Sequence, residues 1–211
     1  MPPEYTLYCF AQSGHCFRVA LMLNLCGAKW TARFVDYFNG ETRTPDYRKN
    51  VNEMGEAPVL EYGNERLSQS GVILDYLADE FGKFQSKNRR EVLRWLLWDN
   101  HKFTSYIGTL RFLLQFQKTG ETPVTEFLRG RIKGSLGILE LHLQKQKFIV
   151  GDEPTIADIS ACGYLYWPDE FGMSWKEYPA IGAWLERIKA LPGWVHPYEL
   201  MPGHPLPAPR A

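Results

Sequence analysis

The sequence predicts an α/β domain at the N-terminus followed by an all-helical domain. Through residue 82, short apolar runs typical of strands alternate with longer runs whose apolar residues recur at helical spacing. After residue 88 the strand-like runs vanish, and helical spacing continues to about residue 191. With 211 residues, 45% of them hydrophobic, the chain can form a sizeable core in two small domains or one large one.

The first domain is expected to open with a strand, a helix and a second strand. The strand covers Tyr5–Phe10, the helix runs from Ser13 to Gly27, and the second strand covers Ala32–Tyr37. A β-α-β unit predicts a parallel strand pair with a right-handed crossover. The polar segment 39–52 is expected to hold one short helix.

The stretch Met54–Leu77 predicts a hairpin followed by a helix. Its first strand begins at Ala57-Pro58, where a strand tolerates proline, and Gly63-Asn64 is typical of the turn. The helix begins near Gln69-Ser70 and carries an apolar run. The predicted order for the domain is therefore β-α-β-α-β-β-α.

The second half of the chain predicts helices only. Long helices are expected over 89–118, 124–146 and 179–191, and Thr155 with Asp158 forms a capping-box pattern before another helix. Four segments are predicted: a first domain over 1–82, a linker over 83–88, an all-helical domain over 89–200, and a proline-rich tail over 201–211 that is disordered or extended.

Charge and cysteine spacing exclude several classes of function. Lys+Arg and Asp+Glu both number 24, so the chain lacks the basic surplus typical of nucleic-acid binding. No signal peptide or membrane span is predicted, and the expected location is cytoplasmic, with reduced thiols. The four cysteines form neither a CxxC pair nor a metal-ligand spacing, so no metal is predicted: Cys9, Cys16, Cys26 and Cys162.

Several of these motifs occur together in one known family. Pro58 at a strand start, the Gln69-Ser70 pair at a helix start and Phe148–Gly151 before the capping box resemble the glutathione transferase superfamily, specifically its serine-type, bacterial-like cytosolic members. The resemblance covers roughly residues 5 to 200. It implies a thioredoxin-like N-terminal domain, glutathione as co-substrate with no other cofactor, a homodimer and a role in detoxification.

The resemblance also assigns a glutathione site. It implies a structural cis-proline at Pro58, a backbone contact from Ala57 to the cysteinyl unit, and binding of the γ-glutamyl end by Gln69 and Ser70. A helix start supports such a role, because its unpaired N–H groups attract anions. From the residues alone, Ser70 could instead be a helix cap.

One position departs from the family pattern. The glycyl end of glutathione is usually held by Lys or Gln just before the residue that precedes the proline, and Glu56 stands there. An acid repels a carboxylate, so this contact is in doubt. Arg43 or Lys49 could replace it, although their spacing does not establish the role.

Three residues compete to activate the glutathione thiol. Ser13, three residues before Cys16, matches the serine-type pattern and could also simply cap its helix. Cys16 could form mixed disulfides or be an inert buried thiol, and Tyr8 resembles the tyrosine-type residue but lies within a strand. His15 could line the site or lie on the surface. We predict Ser13 as the catalytic residue.

The resemblance predicts an enzyme, a glutathione S-transferase that joins the glutathione thiolate to a small hydrophobic electrophile. One alternative is a glutathione-dependent disulfide reductase or peroxidase that uses Cys16. Another is a glutathione-binding protein without catalysis, which the acid at Glu56 keeps open.

Overall fold

The structure, a computed structural model, describes residues 4–206. Its contacts divide the chain into two units. One comprises the chain up to Lys83 together with the chain from Pro192 onward, and the other comprises Phe84–Leu191. Part of the predicted proline-rich tail, residues 207–211, lies outside the described residues.

The first unit contains a mixed four-stranded sheet. Its strands are β1 (Tyr5–Cys9), β2 (Trp30–Phe34), β3 (Val59–Tyr62) and β4 (Glu65–Ser68), in the spatial order β2-β1-β3-β4. β1 pairs with β2 in parallel and with β3 antiparallel, and β3 and β4 form the antiparallel hairpin. The predicted α/β class of this part of the chain is confirmed.

Three α-helices accompany the sheet in the part of this unit up to Lys83: α1 (Gly14–Cys26), α2 (Pro45–Asn50) and α3 (Ser70–Phe81). α1 is almost entirely buried, and it ends at Gly27 in the left-handed conformation with φ +73°, as the glycine predicts. A single turn of 3-10 helix precedes α2 within the segment for which one short helix was predicted.

The second strand lies earlier than predicted. β2 ends at Phe34, whereas the sequence predicted a strand over Ala32–Tyr37. Val35 still donates from its backbone N to the carbonyl of Cys9, but the chain then turns, with Tyr37 N bonded to Val35 O. The apolar run was misleading because its second half packs as a loop, with Val35 fully buried.

The second unit is helical, and the predicted all-helical class is confirmed. Its α-helices are α4 (Arg89–Trp98), α5 (Thr104–Arg111), α6 (Pro123–Leu143), α7 (Ile156–Ala161) and α8 (Pro179–Lys189). The predicted long helix over 89–118 is a helical run to residue 116 that includes π-helical segments at Asp99–Phe103 and Phe112–Phe116.

Asp158 organises the start of α7 and the core around it. Its carboxylate accepts hydrogen bonds from the backbone N of Thr155 at 2.8 Å and of Ile149 at 2.8 Å, and from the indole Nε1 of Trp184 at 2.9 Å. The predicted capping box with Thr155 is therefore formed. These contacts stabilise a fully buried carboxylate.

The C-terminal segment packs with the first unit. The sequence assigned residues up to 200 to the helical domain, whereas the structure groups the chain from Pro192 with the α/β unit. This segment contains α9 (Pro197–Leu200), which was not predicted, and the side chain of Met201 is buried. Proline-rich sequence carries little helical signal, so only the tertiary contacts reveal where the segment lies.

Within residues 4–206, none of the helices combines the length and the apolar character that crossing a membrane requires.

Candidate functional site

Ser13 is the N-cap of α1. Its backbone is extended, and its hydroxyl Oγ accepts a hydrogen bond from the backbone N of Cys16 at 3.1 Å. Ser13 is only 6% exposed, so it is buried at the helix start. The capping interpretation is therefore right, and it leaves open what the hydroxyl hydrogen does, since a hydroxyl can accept and donate at once.

Cys16 is a poor candidate for a reactive thiol. Its side chain is completely buried, and burial raises the pKa of the thiol to about 11, an effect that the Ser13 hydroxyl beside it partly offsets. Only the thiolate attacks disulfides or peroxides. At neutral pH this cysteine is almost entirely protonated, which favours the inert interpretation.

Tyr8 uses its hydroxyl within the sheet. The hydroxyl donates to a carboxylate oxygen of Glu61 on β3 at 3.3 Å, and the guanidinium of Arg33 lies 4.9 Å from the centre of the tyrosine ring. These contacts tie Tyr8 to strand side chains and do not favour a role in activating a thiol.

His15 connects the start of α1 to the start of α3. Its Nδ1 lies 3.3 Å from the Ser70 hydroxyl and also contacts the guanidinium of Arg18, which is completely buried. A guanidinium only donates, so Nδ1 accepts and the ring proton resides on Nε2. Desolvation, helped by the Arg18 charge, holds the pKa of His15 well below 6.5. The ring is therefore neutral at physiological pH.

The turn before β3 is held by buried side chains. The carbonyl oxygen of Glu56 accepts from the Tyr47 hydroxyl at 3.0 Å and from the Asn52 side-chain amide at 3.1 Å. The next peptide bond, Ala57–Pro58, is cis. Both anchoring side chains come from the segment 39–52, which the sequence treated as a polar connection. Tyr47, the single aromatic residue of this polar segment, was the sequence signal that could have indicated an anchoring role.

Gln69 and Ser70 form the start of α3. Gln69 occupies the N-cap position with φ +65° and makes no side-chain capping bond, so Ser70 is the first helical residue and is not the cap. The alternative that Ser70 only caps the helix therefore does not fit. The first N–H groups of a helix lack intrahelical partners, and without a side-chain cap they are a ready anion site.

Glu56 faces the helix start rather than solvent alone. One of its carboxylate oxygens accepts from the Gln69 side-chain amide at 2.8 Å. Arg43 and Lys49 are exposed, and within residues 4–206 neither side chain makes a hydrogen bond or an ion pair. The structure therefore does not identify a cation committed to the glycyl end.

Comparison with known proteins gives the family. Models of the N-terminal and C-terminal domains of glutathione S-transferase match residues 12–80 and 102–192. A crystal structure of a glutathione S-transferase from Pseudomonas fluorescens is 31% identical, with a TM-score of 0.85 over 90% of this chain and 97% of that one. The chain belongs to the glutathione S-transferase family of enzymes.

Two further relatives show the breadth of that family. Glutathione S-transferase F14 of Arabidopsis thaliana is 28% identical over 82% of this chain and 74% of its own length. A maleylacetoacetate isomerase of Rhizobium meliloti is 29% identical over 79% of this chain and 82% of its own length. The predicted family and fold class are confirmed, while relatives with different reactions leave the electrophile undecided.

Proposed function

We propose that this glutathione S-transferase joins the thiolate of glutathione to a small hydrophobic electrophile, with Ser13 as the activating residue. One observation carries the choice. Ser13 stands at the first turn of α1, while the thiol of Cys16, its main competitor, is buried and protonated at neutral pH.

Ser13 would act as a hydrogen-bond donor to the glutathione sulfur. Its oxygen already accepts from Cys16 N, and its O–H can turn toward a sulfur placed beside the positive end of α1. A hydrogen bond to a charged acceptor is worth about 1.5–3 kcal/mol, which lowers a thiol pKa of about 8.5 by roughly one to two units. Much of the bound thiol would then be ionised at neutral pH.

The start of α3 would bind the γ-glutamyl end. Ser70 and the uncapped N–H groups after Gln69 would meet its carboxylate, and the side chains that hold the Glu56 carbonyl would keep the Ala57 backbone in place for the cysteinyl unit. No cofactor besides the co-substrate glutathione enters this proposal.

The contacts of Glu56 bear on the non-catalytic alternative. Its carboxylate is bonded to the Gln69 amide, so the acid contributes to the shape of the helix start. An acid with this structural task is compatible with a working site, and the glycyl carboxylate would then be met by an exposed cation such as Arg43 or Lys49.

The test combines binding with two reactions. Wild-type protein, Ser13→Ala and Cys16→Ala would be tested for retention on immobilised glutathione, for conjugation of an aromatic halide and for reduction of a mixed disulfide. We expect all three proteins to be retained, and only Ser13→Ala to lose conjugation. If Cys16→Ala is the variant that loses activity, the redox alternative replaces the transferase assignment. Retention without either reaction in the wild type would identify a binding protein.

We also propose a homodimer. Each unit exposes large apolar side chains, which favour burial against another chain: Met54 and Val72 in the first unit, Leu93 and Leu97 in the second. A solution mass equal to the monomer's 24.4 kDa at micromolar concentration would exclude the dimer.

We propose a cytoplasmic location as well. All four cysteines are buried and free, as a reducing compartment would keep them.

A further inference from the structure

The loop that carries Ser13 is bonded to the C-terminal segment. The backbone N of Ala11 donates to the carbonyl of Pro202 at 2.8 Å, and the side-chain amide of Gln12 donates to the carbonyl of Gly203 at 2.6 Å. Both loop residues are buried, with exposures of 0% for Ala11 and 4% for Gln12. The two residues immediately before the proposed catalytic serine thus depend on carbonyls about 190 positions away in the chain.

The far side of this contact is itself tightly held. Gly203 has φ +98°, and a Cβ there would lie 2.5 Å from the Phe34 ring, so only glycine fits. Met201 is 4% exposed, and the ring of Tyr198 stacks on that of His204 with centroids 3.8 Å apart. The Pro202 and Gly203 carbonyls therefore belong to a segment that is held in place by its own packing contacts.

The contact also gives a buried backbone N–H of the loop its hydrogen-bond acceptor. The Ala11 N–H is buried, and a buried donor without a partner costs roughly 1–3 kcal/mol. Without the Pro202 carbonyl, the loop would have to move to find another acceptor. Ser13 follows within two residues, and its donor geometry toward a sulfur tolerates displacements of only about 0.5 Å.

We propose that the Pro202-Gly203 part of the C-terminal segment is a positioning element for Ser13. It holds Ala11 and Gln12 through the carbonyls of Pro202 and Gly203, and so aims the serine hydroxyl at the glutathione sulfur. The segment itself touches no reacting atom. The inference rests on the proposed role of Ser13.

We call the bonds from Ala11 N to the Pro202 carbonyl and from the Gln12 amide to the Gly203 carbonyl the latch. Two variants remove all or part of it. One variant ends after Met201, which deletes both acceptor carbonyls and keeps α9, and its control ends after Leu206. The second variant, Gln12→Ala, leaves the chain complete. Asn24→Ala is the matched control for the point variant, because the Asn24 amide bonds the segment at Gly193 (3.2 Å), away from the Ser13 loop. Thermal unfolding of each variant confirms that it folds.

The readout is the pKa in the rate–pH profile, measured with Ser13 present and with Ser13→Ala. With Ser13 present, we expect Gln12→Ala and the Met201 truncation to raise the pKa and to lower turnover at neutral pH about tenfold, since small displacements from a reactive geometry cost this much or more. Neither change should have a further effect in the Ser13→Ala background. The Leu206 truncation and Asn24→Ala should keep the wild-type profile.

Equal losses in both backgrounds would show that the segment only stabilises the fold, and the proposal would be wrong. Unchanged profiles in the two latch variants would overturn it as well. If Ser13→Ala itself leaves the profile unchanged, the proposed function fails first, and that result is distinguishable because it needs no latch variant.

Discussion

Ser13 and Ser70 are both buried residues at the start of a helix, yet their hydroxyl groups make different contacts. Ser13 is a true N-cap whose oxygen accepts from a backbone N–H of its own helix. Ser70 is already helical, its hydroxyl lies 3.3 Å from Nδ1 of His15 on α1, and the side chain of Gln69 at the N-cap position makes no capping bond.

The difference fits the separate roles that we propose for the two serines. The Ser13 oxygen accepts from a backbone N–H of α1, and its hydroxyl hydrogen stays available, which suits a donor to a thiolate. α3 leaves its first N–H groups without a side-chain cap, so serine and backbone together suit a carboxylate. Substituting each serine should therefore affect different measured quantities.

The largest effect is expected for Ser13→Ala on the chemical step. Loss of the hydrogen bond should raise the thiol pKa by roughly one to two units and lower turnover at neutral pH by about 8- to 25-fold, the change in the ionised fraction of the thiol. Glutathione affinity at neutral pH should fall by no more than about fourfold, because only the ionised fraction of the bound thiol gains from the hydroxyl. A rate–pH profile with the matched Cys16→Ala control measures this, and a shift in the control instead would remove Ser13 from its role.

The next effect is expected for Ser70→Ala on binding. A charge-assisted contact of about 1.5–3 kcal/mol to the γ-glutamyl carboxylate would be lost, so the glutathione dissociation constant should rise about tenfold or more. The pKa in the rate–pH profile should stay where it is. Titration calorimetry of both serine variants separates the two roles, and equal affinities for wild type and Ser70→Ala would contradict the carboxylate assignment.

A smaller contrast is expected in folding stability. Ser13→Ala removes a capping bond and should lower the free energy of unfolding by about 1 kcal/mol. Ser70→Ala should change it little, because the lost contact is long and alanine has the better helix propensity by roughly 0.5 kcal/mol. Urea unfolding of the two variants measures the difference, and a larger loss at Ser70 would mean that its hydroxyl is structural.

The smallest effect concerns His15, which joins the two helix starts. Its folded-state pKa lies well below 6.5, so below that pH the unfolded chain binds a proton that the folded protein does not. Stability should therefore fall as the pH drops below 6.5, by at most about 1 kcal/mol at about pH 6. His15→Gln should weaken this dependence. Identical pH dependence in wild type and variant would show that His15 titrates normally.

The two serines also differ in how much the sequence revealed. A serine before an apolar helical run predicted the cap at Ser13, because capping is local and needs only the neighbouring backbone. At Ser70 the same local signal suggested a cap that the structure does not contain. The bond between Glu56 and Gln69 occupies that region instead, and it joins residues that only the fold of the hairpin brings together.

The sequence by itself determined the fold class, the order of the sheet and helices in the first unit, the capping box at Asp158 and the family. The fold class and the capping box follow from periodicity, turns and caps, which depend on a few neighbouring residues. The family follows from the order in which Pro58, the Gln69-Ser70 pair and Phe148–Gly151 occur along the chain. Only the tertiary structure decided the burial of Cys16, the contact of His15 with Ser70, and the place of the C-terminal segment against Ala11 and Gln12. These features depend on contacts between residues that are distant in the sequence, and a local sequence pattern carries no information about such contacts.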